Sequence, residues 1–267
     1  GHHRQGCVLM LDCYSKYPEL NRVSVINVPI TGTNMSQCIH FLTDHIDELH
    51  GEYVCVSNAH TSVMAHDDPS YWTCQADSVM SVPDGKPLSI VGRKTIASMD
   101  RVTGPDLMRE IFEISDQHGW SHYFYGNEQK NLDALRQSLQ NNFPSLNIAG
   151  MEPSVFRPLT DGEKSELSNR IADSGADFAW IALGAPRQEV LMHELKGGPQ
   201  PLMIGVGGAF NVLAGVVPEA PIWMQNLSLE WLYRLMQEPK RLFKRYLVTN
   251  TKFLFYQFTG AKRKEGK

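Results

Sequence analysis

The chain has 267 residues, 42% hydrophobic and 20% charged, with a formal net charge of -4, which fits one large soluble domain or a domain with an appendage. No apolar run approaches the roughly 18–20 residues of a membrane-spanning helix, and no low-complexity tract or internal repeat points to a fibre or solenoid. Five cysteines without a C-x-x-C pair argue against a disulfide framework or zinc ribbon, and the expectation is a protein of the reducing cytoplasm.

Residues 1–21 lack a regular pattern and read as an N-terminal extension. Val23 to Val28 predicts a first strand, followed by a polar turn at Thr31-Gly32-Thr33-Asn34. Met35 to Leu49 has helical spacing through Ile39, Leu42, Ile46 and Leu49. Tyr53 to Val56 predicts a strand that delivers Ser57-Asn58-Ala59-His60-Thr61 at its carboxyl end, with a helix through Val63 and Met64 after it. Ser78 to Val82 predicts a strand that delivers Pro83-Asp84-Gly85. An Asp in such a turn has two readings: a turn former that caps nearby N–H groups, or a carboxylate held at a strand end, where a general base is placed. Arg101-Val102-Thr103-Gly104-Pro105-Asp106 precedes a helix from Leu107 to about His118. Arg101 there is either a surface ion-pair partner or a phosphate ligand at a helix start.

Strands over His122 to Tyr125 and Leu146 to Ala149 alternate with helices over Leu132 to Leu139 and from Thr160 to Ala172. The apolar run Phe178 to Leu183 ends in Gly184-Ala185-Pro186, a helix starts at Arg187-Gln188-Glu189, and a second run, Pro201 to Val206, ends in Gly207-Gly208. Short apolar runs joined by helical crossovers predict buried parallel strands, so the expected fold is α/β, a doubly wound sheet with helices on both faces. Ligands of such sheets lie beyond the carboxyl ends of the strands. Pro186 suits a helix start whose N–H groups face an anion, and Gly207 and Gly208 allow backbone to approach a ligand or a helix to pack closely.

The character changes after Gly215. Pro218-Glu219-Ala220-Pro221 breaks regular structure, Leu229 to Leu235 predicts a helix, Glu238-Pro239 interrupts it, and Arg241 to Leu247 resumes. Residues 230–267 hold ten Lys and Arg against three Glu, a net of +7, which leaves -11 on the rest. Aromatic residues from Trp231 to Phe258 interleave with Arg234, Lys240, Arg241, Lys244, Arg245 and Lys252. Basic side chains beside aromatics favour an anionic membrane surface, the alternative being an amphipathic helix packed on the core. Binding of nucleic acid by the tail is disfavoured by the acidic body.

Several chemistries lack their signature. There is no G-x-x-x-x-G-K-[ST] and no G-x-S-x-G. Gly205-Val206-Gly207-Gly208-Ala209-Phe210 matches a dinucleotide fingerprint only in part, because Phe210 stands where a small residue belongs. His60, His66, Asp67 and Asp68 match no metal-site spacing, and no obligatory metal is expected.

From about Val25 to Leu247 the chain closely resembles the bacterial WecG/TagA/CpsF glycosyltransferase family. The resemblance rests on Ser57-Asn58-Ala59, Pro83-Asp84-Gly85, Arg101-Val102-Thr103-Gly104 with Asp106-Leu107, Leu183 to Glu189, Gly205 to Phe210, and Leu229-Glu230-Trp231-Leu232-Tyr233-Arg234 with Glu238-Pro239. It implies a Rossmann-like catalytic domain over 22–225 and, over 226–267, a basic, aromatic-rich helical C-terminal appendage that aids membrane attachment and closes the active site. The activity implied is inverting transfer of a sugar from a UDP donor to a polyprenyl-diphosphate-linked acceptor, without the metal-binding D-x-D of other glycosyltransferases. The resemblance makes Asp84 the catalytic base and Arg101 a catalytic-site arginine. Asn58 would orient a substrate, Gln188 would line the pocket, and Arg234, Arg241 and Arg245 would reach the diphosphate. Ser57, Thr61, Gly184, Arg187, Gly207 and Gly208 complete the expected substrate-binding set. Members similar to the teichoic acid enzymes carry a threonine where this chain has Val56, with Ser57 or Thr61 as its stand-in. The donor most in keeping with the resemblance is UDP-N-acetylmannosamine; UDP-glucose, UDP-N-acetylmannosaminuronate and a non-catalytic nucleotide-sugar sensor are the alternatives. No cofactor is implied. A peripheral position on the inner face of the cell membrane follows, and a homo-oligomer stays open.

Overall fold

The computed structural model describes residues 17–227 and 229–263; Cys7, Cys13, most of the expected extension and the last four residues lie outside them. The described chain enters on a hairpin instead of the single strand expected over Val23 to Val28. Strands β1 (Arg22–Val25) and β2 (Val28–Thr31) pair antiparallel. Ile26 and Asn27 join them with φ of 45° and 62°, as in a type I′ turn, whose twist matches that of the strands. Asn tolerates this conformation, whereas a β-branched Ile seldom adopts it. Ile26 is buried with the hairpin, so an apolar residue conceals the turn.

Six further strands form one parallel sheet: β3 (Tyr53–Ser57), β4 (Met80–Pro83), β5 (Ser121–Gly126), β6 (Asn147–Glu152), β7 (Phe178–Ala182) and β8 (Leu202–Gly205). Their order is β4-β3-β8-β7-β5-β6. The chain leaves β3 toward one edge and enters β8 from the other side, so the order reverses between β3 and β8, where such sheets form a ligand crevice. This is the doubly wound α/β arrangement that the alternating pattern predicts.

Side chains alternate between the two faces. Val54, Val56, Phe124, Phe178, Trp180, Leu202 and Ile204 join one apolar cluster with α1 (Met35–His45), α5 (Gly104–His118), α6 (Gln129–Asn142) and α9 (Ala209–Leu213). Tyr53, Cys55, Tyr123, Tyr125, Ala179, Ile181 and Met203 join a second with α7 (Asp161–Asp173) and α8 (Arg187–Leu195). A third cluster packs the hairpin against α2 (Ala59–Asp67), α3 (Pro69–Ala76) and α4 (Lys86–Gly92). The pattern did not reveal α3 or α4. Met35 to Leu49 is α1 followed by a 3-10 turn over Ile46–Glu48.

The chain ends in α10 (Ile222–Asn226), α11 (Glu230–Gln237) and α12 (Pro239–Thr259), so C-terminal helices follow the sheet as expected. Pro239 stands in the first turn of α12, where its missing N–H costs nothing. The helix runs on to Thr259, beyond the expected Leu247. Among the described residues no helix is long and apolar enough to cross a membrane.

Candidate active site

Strand register lines up the loops. Cys55 sits beside Gly205, Gly205 beside Ile181, and Ser57 beside Pro83. Asn58, Asp84, Gly184 and Gly208 are therefore the first residues beyond one common row at the carboxyl end of the sheet. The Asp84 N–H donates to the Ser57 carbonyl at 2.6 Å, and the Val102 N–H donates to the Pro83 carbonyl at 2.7 Å. The second bond lays the segment before α5 along the end of β4 and brings Arg101 beside Asp84. Thr103 then caps α5, accepting from the Asp106 N–H at 3.3 Å.

A cavity of about 70 Å³ opens here, lined by Asp84, Arg101, Asp106, Glu219, Glu230 and Arg234 among others. Glu230 and Arg234 come from one face of α11, four residues apart. Burial raises the Asp84 carboxyl to about 6; Arg234 and Arg101 draw it down, and Glu230 and Asp106 push it further up. A carboxyl in that range is poised to accept a proton near neutral pH. Arg101 is ion-paired with Glu230. Arg109, on α5, binds Glu219 through both nitrogens at 3.0 and 2.8 Å and Asp106 at 3.1 Å, which fastens the Pro218–Pro221 loop to the core.

The other expected site residues divide by position. Asn58 and Thr61 form the capping box of α2, the Asn58 side chain accepting from the Thr61 N–H at 3.0 Å and the Thr61 hydroxyl accepting from the Asn58 N–H at 2.9 Å. The Ser57 hydroxyl is buried, donating to Gln75 Oε1 at 2.6 Å. Gln188 is 4% exposed; its Oε1 accepts from the N–H groups of Gly184 at 3.2 Å and Gly207 at 3.0 Å. Both glycines have positive φ, 76° and 52°, which a side chain would strain. Ser57, Thr61 and Gln188 are thus buried beside the crevice, each bonded to a neighbouring group of the protein. Gly208 is exposed at the crevice. Arg187 is exposed and donates to the Val155 carbonyl at 2.9 Å. Arg234 reaches the Asp84 cavity, whereas Arg241 and Arg245 lie exposed on α12, Arg241 paired with Glu238 at 2.5 Å.

Sequence reasoning missed Arg109, Glu219, Glu230 and Glu189. The Glu230/Arg234 spacing was a legible signal, since it places opposite charges on one helical face. Glu189 is wholly buried next to Gln188, whose Nε2 donates to it at 3.0 Å, and among the described residues its other oxygen has no hydrogen-bond partner. Burial raises its carboxyl. With Arg187 and Gln188 just before it, nothing in the sequence marks it as internal. Among the described residues no three His, Cys, Asp or Glu side chains gather as metal ligands.

A carboxyl between two arginines thus lies beyond the strand ends of a doubly wound sheet, where such folds bind their ligands. Residues 23–266 match the model of the Glycosyl transferase WecG/TagA/CpsF family, and the chain belongs to that family. It is 28% identical over 221 residues to the N-acetylglucosaminyldiphosphoundecaprenol N-acetyl-beta-D-mannosaminyltransferase of Bacillus subtilis, covering 82% of this chain and 84% of that relative. The protein of the same name from Bacillus spizizenii is 29% identical over 206 residues, covering 76% and 77%.

Proposed function

We propose that this protein transfers N-acetylmannosamine, with inversion, from a UDP donor to an N-acetylglucosaminyl-diphosphate polyprenol in bacterial cell-envelope polysaccharide synthesis. The observation that carries the reading is Asp84: a carboxyl raised to about 6, at a strand end, between Arg101 and Arg234. The acceptor and the sugar come from the names of the two Bacillus relatives, and the UDP carrier from the family resemblance.

In the proposed step the acceptor hydroxyl oxygen attacks the anomeric carbon on the face opposite UDP. Asp84 takes the hydroxyl proton as the new C–O bond forms. The bond to UDP breaks with its electron pair going to the phosphate oxygen, and that charge is met by arginine forks, which donate two hydrogen bonds to one phosphate. One inversion needs one base, and arginines supply the positive charge, so the reaction is proposed to need no metal. The exposed apolar and basic side chains of α10–α12, Trp223, Phe258, Lys240 and Lys244 among them, are proposed to rest on the inner membrane face, where the lipid acceptor lies.

The test is UDP release from a panel of UDP-sugars, with and without a short-chain polyprenyl-diphosphate N-acetylglucosamine, each in buffer with and without EDTA. Acceptor-dependent release from UDP-N-acetylmannosamine is expected. Release from UDP-glucose or UDP-N-acetylmannosaminuronate instead would replace the donor, and UDP binding without any release would favour the sensor. Loss of turnover on adding EDTA, restored by a divalent cation, would overturn the metal-free step.

A further inference from the structure

Glu230 belongs to the segment Leu229 to Arg234, yet neither the base chemistry nor the arginine chemistry above makes use of it. Its carboxylate is bonded to Arg101, and the two side chains are 34% and 18% exposed. The charges lining the cavity make that contact consequential. Asp106 and Glu219 are held by Arg109. That leaves, among the described charged residues lining the cavity, Asp84 and Glu230 against Arg101 and Arg234. These balance, with no cation in surplus for a diphosphate. The cavity, about 70 Å³, is also well short of the roughly 300 Å³ at which small-molecule sites begin. A carboxylate and a phosphate present the same paired oxygens to a guanidinium fork.

We propose that Glu230 occupies the seat of a substrate phosphate on Arg101, and that a diphosphate binds by displacing it. The proposal rests on the glycosyltransferase reading and adds to it a residue that acts through Arg101. Removing Glu230 frees one guanidinium and enlarges the cavity on the side of α11. That helix is free to yield, since it buries no residue fully. The anchors of α12 lie elsewhere: Phe253 is buried among the hairpin and α2 side chains, and Lys252 and Tyr256 both bond Asp67 at 2.6 Å. The seat therefore opens without undocking α12. The shared chemistry is a diphosphate ester, supplied either by the nucleotide or by the prenyl carrier.

Isothermal titration of the full chain against UDP, a short prenyl diphosphate and inorganic pyrophosphate separates these sources. Glu230→Gln keeps the shape and removes the charge, and it is expected to bind pyrophosphate and one of the two esters about ten-fold more tightly. A gain for UDP assigns the seat to the donor, and a gain for the prenyl diphosphate assigns it to the acceptor. In an Arg101→Gln background the same substitution should produce no gain, because the two residues act as one unit. The acidic limb of kcat/KM should also move to lower pH in Glu230→Gln, because the Glu230 charge holds the Asp84 carboxyl up; a purely structural side chain would not move it. If Glu230→Gln does not fold, Glu230→Asp, which shortens the reach and keeps the charge, is expected to show a smaller gain of the same kind. Unchanged or weaker diphosphate binding by a folded variant overturns the proposal. Tighter binding without transfer from any donor would leave the seat standing and sink the transferase reading; transfer without tighter binding would do the reverse.

Discussion

Burial makes ionisation of the Asp84 carboxyl costly, although the group remains largely ionised near neutral pH. Its folded value of about 6 lies above the ordinary 3.8, so between those limits the folded chain binds the proton more tightly than the unfolded chain. Ionised Asp84 thus costs stability, and the cost is complete above about pH 6. Asp84→Asn is expected to abolish turnover and to raise Tm by about 2–4 °C, on the order of 1 kcal/mol once solvent screening of a half-buried group is allowed for. Turnover of the natural chain should fall as pH drops through about 6, as the base takes up its proton. Calorimetry and a pH–rate profile check both, and near-normal turnover by Asp84→Asn would remove it from the base role. Gln188 illustrates the opposite case: a polar side chain in the sheet's crevice whose acceptor oxygen is given to the backbone of two glycine loops.

At the scale of elements, α12 carries two apolar stripes. Leu242, Thr249 and Phe253 are buried, whereas Phe243, Leu247, Leu254 and Phe258 are exposed. At about 100° per residue the exposed four lie within roughly 60° of one another, and about 80–180° from the buried set. The buried stripe docks on α2, with Tyr256 stacked on His66 at 3.8 Å between ring centres. Asp67 closes the contact: burial raises its carboxyl, and the hydrogen bonds from Lys252 and Tyr256 outweigh that and bring it below the ordinary value. A depressed carboxyl stabilises the docked helix above the unfolded value and loses that contribution as pH falls through the folded one. Asp67→Asn is expected to weaken docking by about 1 kcal/mol. Hydrogen exchange near residues 249–259 should then quicken several-fold at pH 7 while the central strands β3 and β8 keep their protection. Equal quickening in the sheet would show that α12 does not open by itself.

At the scale of the molecule, α10 and α12 each leave large apolar side chains exposed. Ile222 and Trp223 are 74% and 59% exposed, and Phe258 is 83% exposed. Residues 230–267, which include α12, carry the net +7. Replacing Phe243, Leu254 and Phe258 together by Ser should lower affinity for vesicles containing anionic lipid by about ten-fold or more, since each seated side chain contributes on the order of 1 kcal/mol or more. Tm should stay nearly the same, because none of the three is buried. Vesicle co-sedimentation at low and high salt measures this. Unchanged binding by the triple variant would place the membrane contact elsewhere.

The doubly wound sheet was legible because buried parallel strands are short, apolar and closed by glycine, and local pattern governs all three features. Asp84 and Arg101 were legible as candidates because strand-end and helix-start positions are set by chain order. The hairpin was not, because Ile26 fills a turn position for the sake of burial and so reads as strand. α3 and α4 escaped notice because both are short and lie between stronger signals. The partners of Ser57 and Gln188 were beyond the sequence as well, because Gln75 and Gly207 lie 18 and 19 positions away and only folding brings them near. The pairing of Glu230 with Arg101 is of the same kind. It joins residues 129 positions apart in the chain, and charge complementarity over that separation has no local signature. Local pattern thus determined the sheet and the positions of its loops, while long-range packing decided which side chains at those loops are free to meet a substrate.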